Sequence, residues 1–364
     1  MNVLIAPDSF KGTMSALQVA KVIASGMSAL PDINCKVMPL ADGGEGSLEL
    51  LNNAINGQKV NLSVYNPAGQ LVNAHYIRDK HVAYIEVAQA SGITLIGSNE
   101  RQPLVLNSYG TGQIIRDAIE CNSKEIHLFL GGSATVDGGT GIVNALTTSE
   151  FNLSNTIFKP CDLNLDDFGE LIKNVRFKII TDVMNTITGV NGAVNTFGPQ
   201  KGVKPSQLFM FENSMVNYVD YLSNKSGKQL HTVDGLGAAG GLALPLVAMS
   251  DVFEIVSGFN YFNQLLNYSD AIAWADVLVT GEGCIDEQTA MGKGPGLIAD
   301  MAHQMGKLVI GVGGIVKEKP ISFDHVIATT EDDGLSYQTL KQLADKNLKI
   351  AVQQLISIIQ QQLY

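Results

Sequence analysis

The feature that most restricts the fold is an order of short apolar run, polar or glycine-rich loop and helical pattern that appears at both ends of the chain. Residues 2–6 and 35–40 are such runs, ending in Pro7-Asp-Ser-Phe-Lys-Gly12 and Ala41-Asp-Gly-Gly-Glu-Gly46, with amphipathic segments over 15–30 and from about 47 onward. The same order returns at 276–280, followed by Gly281-Glu-Gly-Cys-Ile-Asp-Glu-Gln-Thr289 and a helix over 296–305. Further strands over 308–312 and 325–329 and an amphipathic helix over 340–363 complete this part. Strands that alternate with helices form parallel sheets, and such sheets bind ligands at the carboxyl ends of their strands. The two chain ends are therefore expected to share one parallel sheet.

The middle reads differently. From about residue 58 the runs 59–64, 70–78 and 81–87 alternate apolar and polar residues, separated by Asn66-Pro-Ala-Gly69 and Asp79-Lys80, as in an antiparallel meander. A helix over 113–119, strands over 126–130 and 178–182 and a helix over 205–222 follow, while 149–174 is polar and weakly periodic. The expected class is α/β with two domains, one from residues 1–58 and 267–364 and an inserted one from 59–266, facing each other across an active-site cleft.

With 364 residues and 45% hydrophobic content the chain can bury the cores of two domains. Its 24 basic and 35 acidic residues give a net charge of −11, which argues against nucleic acid or an anionic membrane as a partner. The cysteines Cys35, Cys121, Cys161 and Cys284 show no paired spacing, the first residues show no signal-peptide pattern, and the apolar window 236–249 is too short to span a bilayer. The expected location is the cytoplasm.

Leu130-Gly-Gly-Ser-Ala-Thr-Val-Asp-Gly-Gly-Thr-Gly-Ile142 stands between a strand and a helix start. Gly131, Gly132, Gly138 and Gly139 allow backbone N–H groups close to an anion, and Ser133, Thr135 and Thr140 add hydroxyls. Asp137 is out of place in an anion cradle; it serves either a divalent cation or the loop itself, as a hydrogen-bond anchor. The stretch matches no standard nucleotide fingerprint. The loops at strand ends also offer Asp8, Lys11, Asp42, Glu45, Asp182, Asn185, Lys201, Glu282, Asp286 and Lys293. Carboxylates, lysines and glycine-rich backbone suit phosphoryl transfer, in which one carboxylate accepts a hydroxyl proton while lysines and Mg²⁺ offset phosphate charge. Asp182 follows a very apolar strand, where a charge needs a reason to be present.

Several of these loops together resemble one family, the bacterial glycerate kinases whose fold is unrelated to Walker-type kinases. The matching stretches are Ala6-Pro-Asp-Ser-Phe-Lys11, Ala41-Asp-Gly-Gly-Glu-Gly46, Asn107-Ser-Tyr-Gly-Thr-Gly112, Gly131-Gly-Ser-Ala-Thr-Val-Asp-Gly-Gly139, Phe197-Gly-Pro-Gln-Lys-Gly202, Gly237-Ala-Ala-Gly-Gly241, and Thr280-Gly-Glu-Gly283 with Asp286, Thr289 and Gly292-Lys293. The resemblance implies a flavodoxin-like domain from both chain ends, an inserted restriction-enzyme-like mixed α/β domain, and transfer of the ATP γ-phosphoryl group to D-glycerate with Mg²⁺. It makes Asp182, Lys11, Asp8 and Lys293 the catalytic candidates; among the carboxylates, Asp182 is read as the base from its place at the end of a buried strand. Substrate and phosphate contacts are expected from Asp42, Gly43, Gly44, Gly131, Gly132, Ser133, Thr135, Gly138, Gly139, Gly281, Glu282, Gly283 and Thr289, and metal contacts from Asp137 and Asp286. A homodimer is compatible with this reading. The chain departs from the family after Asp182, where Val183-Met-Asn-Thr-Ile187 replaces the usual Asn-Pro-Leu run. The alternatives are a kinase for another small hydroxy acid and a non-catalytic protein that binds an anionic metabolite; a nicotinamide oxidoreductase lacks its glycine fingerprint after the first strand.

Overall fold

The computed structural model describes residues 1–364 except 11, 29, 149, 291, 332, 333, 336 and 362–364. In chain order its strands are β1 (Asn2–Pro7), β2 (Asn34–Val37), β3 (Gln58–Tyr65), β4 (Leu71–Asp79), β5 (Val82–Glu86), β6 (Glu125–Phe129), β7 (Arg176–Ile180), β8 (Phe253–Val256), β9 (Val277–Gly281), β10 (Cys284–Ile285), β11 (Leu308–Gly313), β12 (Ile315–Val316) and β13 (His325–Ala328). Two compact units result, Met1–Asp42 with Gly258–Tyr364, and Gly43–Ser257.

The first unit is built on a parallel sheet of order β13-β11-β9-β1-β2. Counted along this unit the order is 2-1-3-4-5, the doubly wound flavodoxin-like arrangement that the resemblance implied. Val3, Leu4, Ile5 and Ala6 of β1 are fully buried, as a central strand covered on both faces requires. The helix Ala16–Met27 starts at a capping box: Gln18 N–H donates to Ser15 Oγ at 3.2 Å, and Ser15 N–H to Gln18 Oε1 at 2.8 Å. Its buried face, Val19, Ala20, Ile23 and Met27, packs into the core with Leu348, Val352 and Leu355 of the helix Tyr337–Gln361. β10 and β12 form a separate two-stranded parallel pair.

The second unit has a six-stranded mixed sheet of order β3-β4-β5-β6-β7-β8. Its first three strands form the expected antiparallel meander, turned at Asn66, whose Oδ1 accepts from Ala68 N–H and Gln70 N–H at 3.0 and 2.9 Å. β5 to β8 are parallel, joined through the helices Tyr109–Glu120, Thr140–Thr147, Leu165–Ile172 and Pro205–Ser226 among others. The core between sheet and helices holds Ile114, Ile115, Ile142, Phe168, Phe177, Phe211 and Val219, all without exposed surface.

The units are divided at 42/43 and 257/258, not at the expected 58/59 and 266/267. The helix Ser47–Ala54 packs on β4 and β5 and buries Leu48 and Leu51, which places it with the second sheet. The helix Gly258–Leu266 packs on Tyr268–Trp274 and Gly294–Gln304, and so belongs to the first. The stretch 149–174, uninformative as sequence, contains the helix Leu165–Ile172 with Leu165, Phe168 and Ile172 buried. Among the described residues no helix is long and apolar enough to cross a membrane.

Candidate active site

In the first unit the candidates gather at the carboxyl ends of β1 and β9, the neighbouring strands at which the order of the sheet reverses. Asp8 follows β1 directly; its N–H donates to Gly281 O at 2.8 Å, and its Oδ1 accepts from Ser9 N–H at 2.6 Å. Gly281 ends β9 where a Cβ would stand 1.8 Å from Val312 O, so no side chain fits there. Glu282 is 8% exposed and engaged on both oxygens: Thr289 Oγ1 donates to Oε1 at 2.8 Å and Lys293 Nζ to Oε2 at 3.1 Å. Lys293 also lies 3.8 Å from Asp286 Oδ1, which accepts from Gln288 N–H at 3.0 Å.

Lys293 is the N-cap residue of the helix Gly294–Gln304, so its backbone opens the positive end of that helix while its ammonium is held on Glu282. A cavity of about 320 Å³ opens beside it, lined by Phe10, Thr13, Glu282, Gly283, Cys284, Lys293, Gly314, Ile315, Thr329, Thr330, Leu340 and Ala344. Lys11 lies outside the described residues, and Asp42 is half-buried at the end of this unit's first segment.

In the second unit the carboxyl ends of β5, β6 and β7 carry the remaining candidates. Gly131 N–H donates to Gly43 O at 3.1 Å, and a Cβ on Gly131 would stand 2.3 Å from Gly44 Cα, so these two glycine loops pack backbone on backbone. Gly131 and Gly132 reach the surface and Ser133 is nearly buried. Asp182 lies two residues beyond the last residue of β7, Ile180, and is half-buried.

The rest of the glycine-rich stretch differs from the expectation. Thr135, Asp137 and Thr140 have no exposed surface, and Gly138 and Gly139 are buried. Gly138 packs against the Tyr218 ring, and a Cβ on Gly139 would stand 2.2 Å from Leu242 O. These positions therefore shape the turn from within, and the surface that an anion can reach narrows to Gly131, Gly132 and Ser133. Asp137 is the anchor of that turn. Its Oδ2 accepts from Ser108 N–H, Ser108 Oγ and Gly141 N–H at 2.8, 2.8 and 3.1 Å, and its Oδ1 from Gly139 N–H at 3.2 Å. The carboxylate is enclosed and its lone pairs are directed at these donors, which corrects its assignment as a metal ligand. Asn185 is likewise structural, donating to Asn191 O at 2.7 Å.

Of two buried ionisable groups here, Glu86 escapes sequence reasoning, while Lys201 is among the residues offered by the strand-end loops, without any sign of its burial. Glu86, the last residue of β5, is 1% exposed, and burial lifts its carboxyl to about 7 against the offsetting N–H groups of Leu48 and Gly46. Lys201, a candidate from its glycine-bracketed loop, is 3% exposed. For Glu86 the available signal is an acidic residue closing the apolar run Val82-Ala-Tyr-Ile85; for Lys201 it is the bracket Gly198-Pro-Gln-Lys-Gly202.

The glycerate kinase family model matches residues 3–360. A glycerate kinase of Haemophilus influenzae is 34% identical over 377 aligned positions, covering 99% of this chain and 97% of that protein. A glycerate 2-kinase of Escherichia coli is 35% identical over 328, covering 86% and 85%. A solved structure assigned as glycerate kinase 2 of Salmonella typhimurium LT2 superposes with a TM-score of 0.79 at 31% identity, covering 99% of this chain and 98% of that one. On sequence and fold alike, the chain belongs to the glycerate kinase family and is a kinase.

Proposed function

We propose that this protein transfers the γ-phosphoryl group of ATP to a hydroxyl of D-glycerate, giving 2-phosphoglycerate. The observation that carries the reading is the carboxylate and lysine cluster at the reversal of the first sheet, adjoining a helix N-terminus and a cavity of about 320 Å³. Of the two substrates only the nucleotide has a large apolar part, and Phe10, Ile315, Leu340 and Ala344 give this cavity the lining a base needs, at the lower end of the usual range of ligand pockets. Lys293 and the start of the helix Gly294–Gln304 offset charge on the phosphates. The 2-position follows the Escherichia coli relative, a glycerate 2-kinase.

Magnesium is commonly held by one or two carboxylates together with substrate phosphates. Asp286 fits that use: it is half-buried, carries one backbone hydrogen bond to Oδ1, and stands beside Lys293. When bound, Mg²⁺ would neutralise part of the phosphate charge. Asp182 serves as the general base, taking the proton of the attacking hydroxyl, and Gly131, Gly132 and Ser133 bind an anionic group.

The test is phosphorus NMR of the product from D-glycerate, ATP and Mg²⁺, with L-glycerate as control. A phosphomonoester resonance at the shift of 2-phosphoglycerate supports the reading. ADP release with another hydroxy acid and none with D-glycerate overturns the substrate.

A further inference from the structure

Lys201 has no part in the reaction as described, yet its ammonium lies directly behind the exposed end of the glycine-rich turn. It ends the turn Pro199–Lys201, and the next residue, Gly202, takes φ 99° with its Cα side against Arg101 O. This close approach directs the chain so that the Lys201 side chain runs inward. Its Nζ donates to Ser133 Oγ at 2.7 Å and to Thr135 O at 2.9 Å. Both acceptors are uncharged, so the ammonium makes no ion pair among the described residues. Asp137 attracts it from a distance, but that carboxylate already accepts from four donors. Arg101, whose Nη1 donates to Gln200 O at 3.2 Å, is a second cation near the same turn. A buried cation without a close counter-ion is costly unless a ligand supplies the charge.

Ser133 explains how that charge reaches the surface. Its oxygen accepts from Lys201, so its own hydrogen is left to donate to another acceptor, and the neighbouring Gly131 and Gly132 are the part of the turn that reaches the surface. We infer that Lys201 is the buried counter-charge of the Gly131, Gly132 and Ser133 anion subsite, acting as a positioning residue that orients the Ser133 hydroxyl outward as a donor. The inference rests on the reading of that turn as an anion subsite. Burial lowers the ammonium to about 7, with Asp137 pulling it upward. A bound anion favours the protonated form, so near and above neutral pH anion binding takes up a proton.

Sulfate is the suitable probe, because it does not titrate near neutrality. Isothermal titration calorimetry of the full chain at about pH 8, in two buffers of different ionisation enthalpy, is expected to show uptake of a fraction of a proton per sulfate. The dissociation constant is expected to rise about tenfold or more between about pH 7 and pH 9. Lys201→Met, once shown to be folded by circular dichroism, should bind sulfate more weakly, with no change over that pH range, and should raise KM for the hydroxy acid more than it lowers kcat. No sulfate binding by the unmodified protein, or binding without proton uptake, overturns the inference, as does a folded Lys201→Met with the original affinity and pH profile. If Lys201→Met does not fold, the two-buffer experiment on the unmodified protein decides. Proton-linked sulfate binding in a protein that phosphorylates no hydroxy acid would leave this inference standing and defeat the proposed activity.

Discussion

Replacing Asp137 with Asn separates the two uses that its sequence context leaves open. An Asn with its oxygen in the place of Oδ2 keeps the contacts to Ser108 N–H, Ser108 Oγ and Gly141 N–H, but turns its amide toward Gly139 N–H, setting two donors about 3.2 Å apart. One buried N–H without a partner costs about 1–3 kcal/mol. Three charge-assisted bonds become neutral ones of roughly half the strength, a further loss of about 1–2 kcal/mol once the easier burial of a neutral group is subtracted. The expected destabilisation is about 2–5 kcal/mol, which for a unit of this size lowers Tm by about 5–15 °C. Differential scanning calorimetry of both proteins measures it, alongside kcat/KM well below the transition. A carboxylate that only anchors the turn predicts kcat/KM within about tenfold of the original at that temperature. An unchanged Tm with turnover reduced about a thousandfold would refute the anchor and restore a role in binding a cation.

Three further outcomes follow from the same geometry. Asp182→Asn removes the proposed base and is expected to lower kcat by about 10²–10⁴ while nucleotide and hydroxy acid still bind; turnover within about tenfold of the original would exclude Asp182 as base. Burial holds Glu86 near 7, above its ordinary 4.5, so the folded protein keeps a proton that the unfolded chain gives up, and stability falls as pH rises through that window. Glu86→Gln should therefore show a flatter dependence of Tm on pH between about 5 and 8, and parallel curves for the two proteins would count against it. Lys293→Gln is expected to raise KM for ATP about tenfold or more; an unaltered KM would remove Lys293 from the phosphate site.

Strands β1, β9 and β11 of the first unit were legible because each is a short apolar run, and residues such as Val3, Leu4 and Ile5 have no polar alternation to obscure them, whereas β2, Asn34-Cys-Lys-Val37, is exposed throughout. Their order follows from winding rules as much as from residues. The helix Leu165–Ile172 was hidden because Asp166, Asp167 and Glu170 dominate its composition, although Leu165, Phe168 and Ile172 mark one face. The strand β8 has four residues, too few to show a period. Within the glycine-rich stretch, sequence identifies the flexible positions but not which way they face. Gly132 and Gly139 both take positive φ, yet one is exposed and the other lies against Leu242 O. The bracket Gly198-Pro-Gln-Lys-Gly202 marks the turn that carries Lys201, but the burial of its side chain depends on the residues that enclose it and not on that local pattern.

The position of β1 also bears on how the chain is made. β1 lies between β2 and β9 in the sheet, so one of its edges gains its partner only when residues 277–281 have been synthesised. At about 5–20 residues per second that edge waits roughly 15–50 s, long enough for residues 43–257 to close their own sheet first. During that interval Val3, Leu4 and Ile5 present an unpaired apolar strand, a template for pairing with another nascent chain. A chain terminated anywhere before β9 keeps this edge open permanently, so premature termination damages the centre of the first sheet while leaving the second sheet's sequence complete from residue 257 onward.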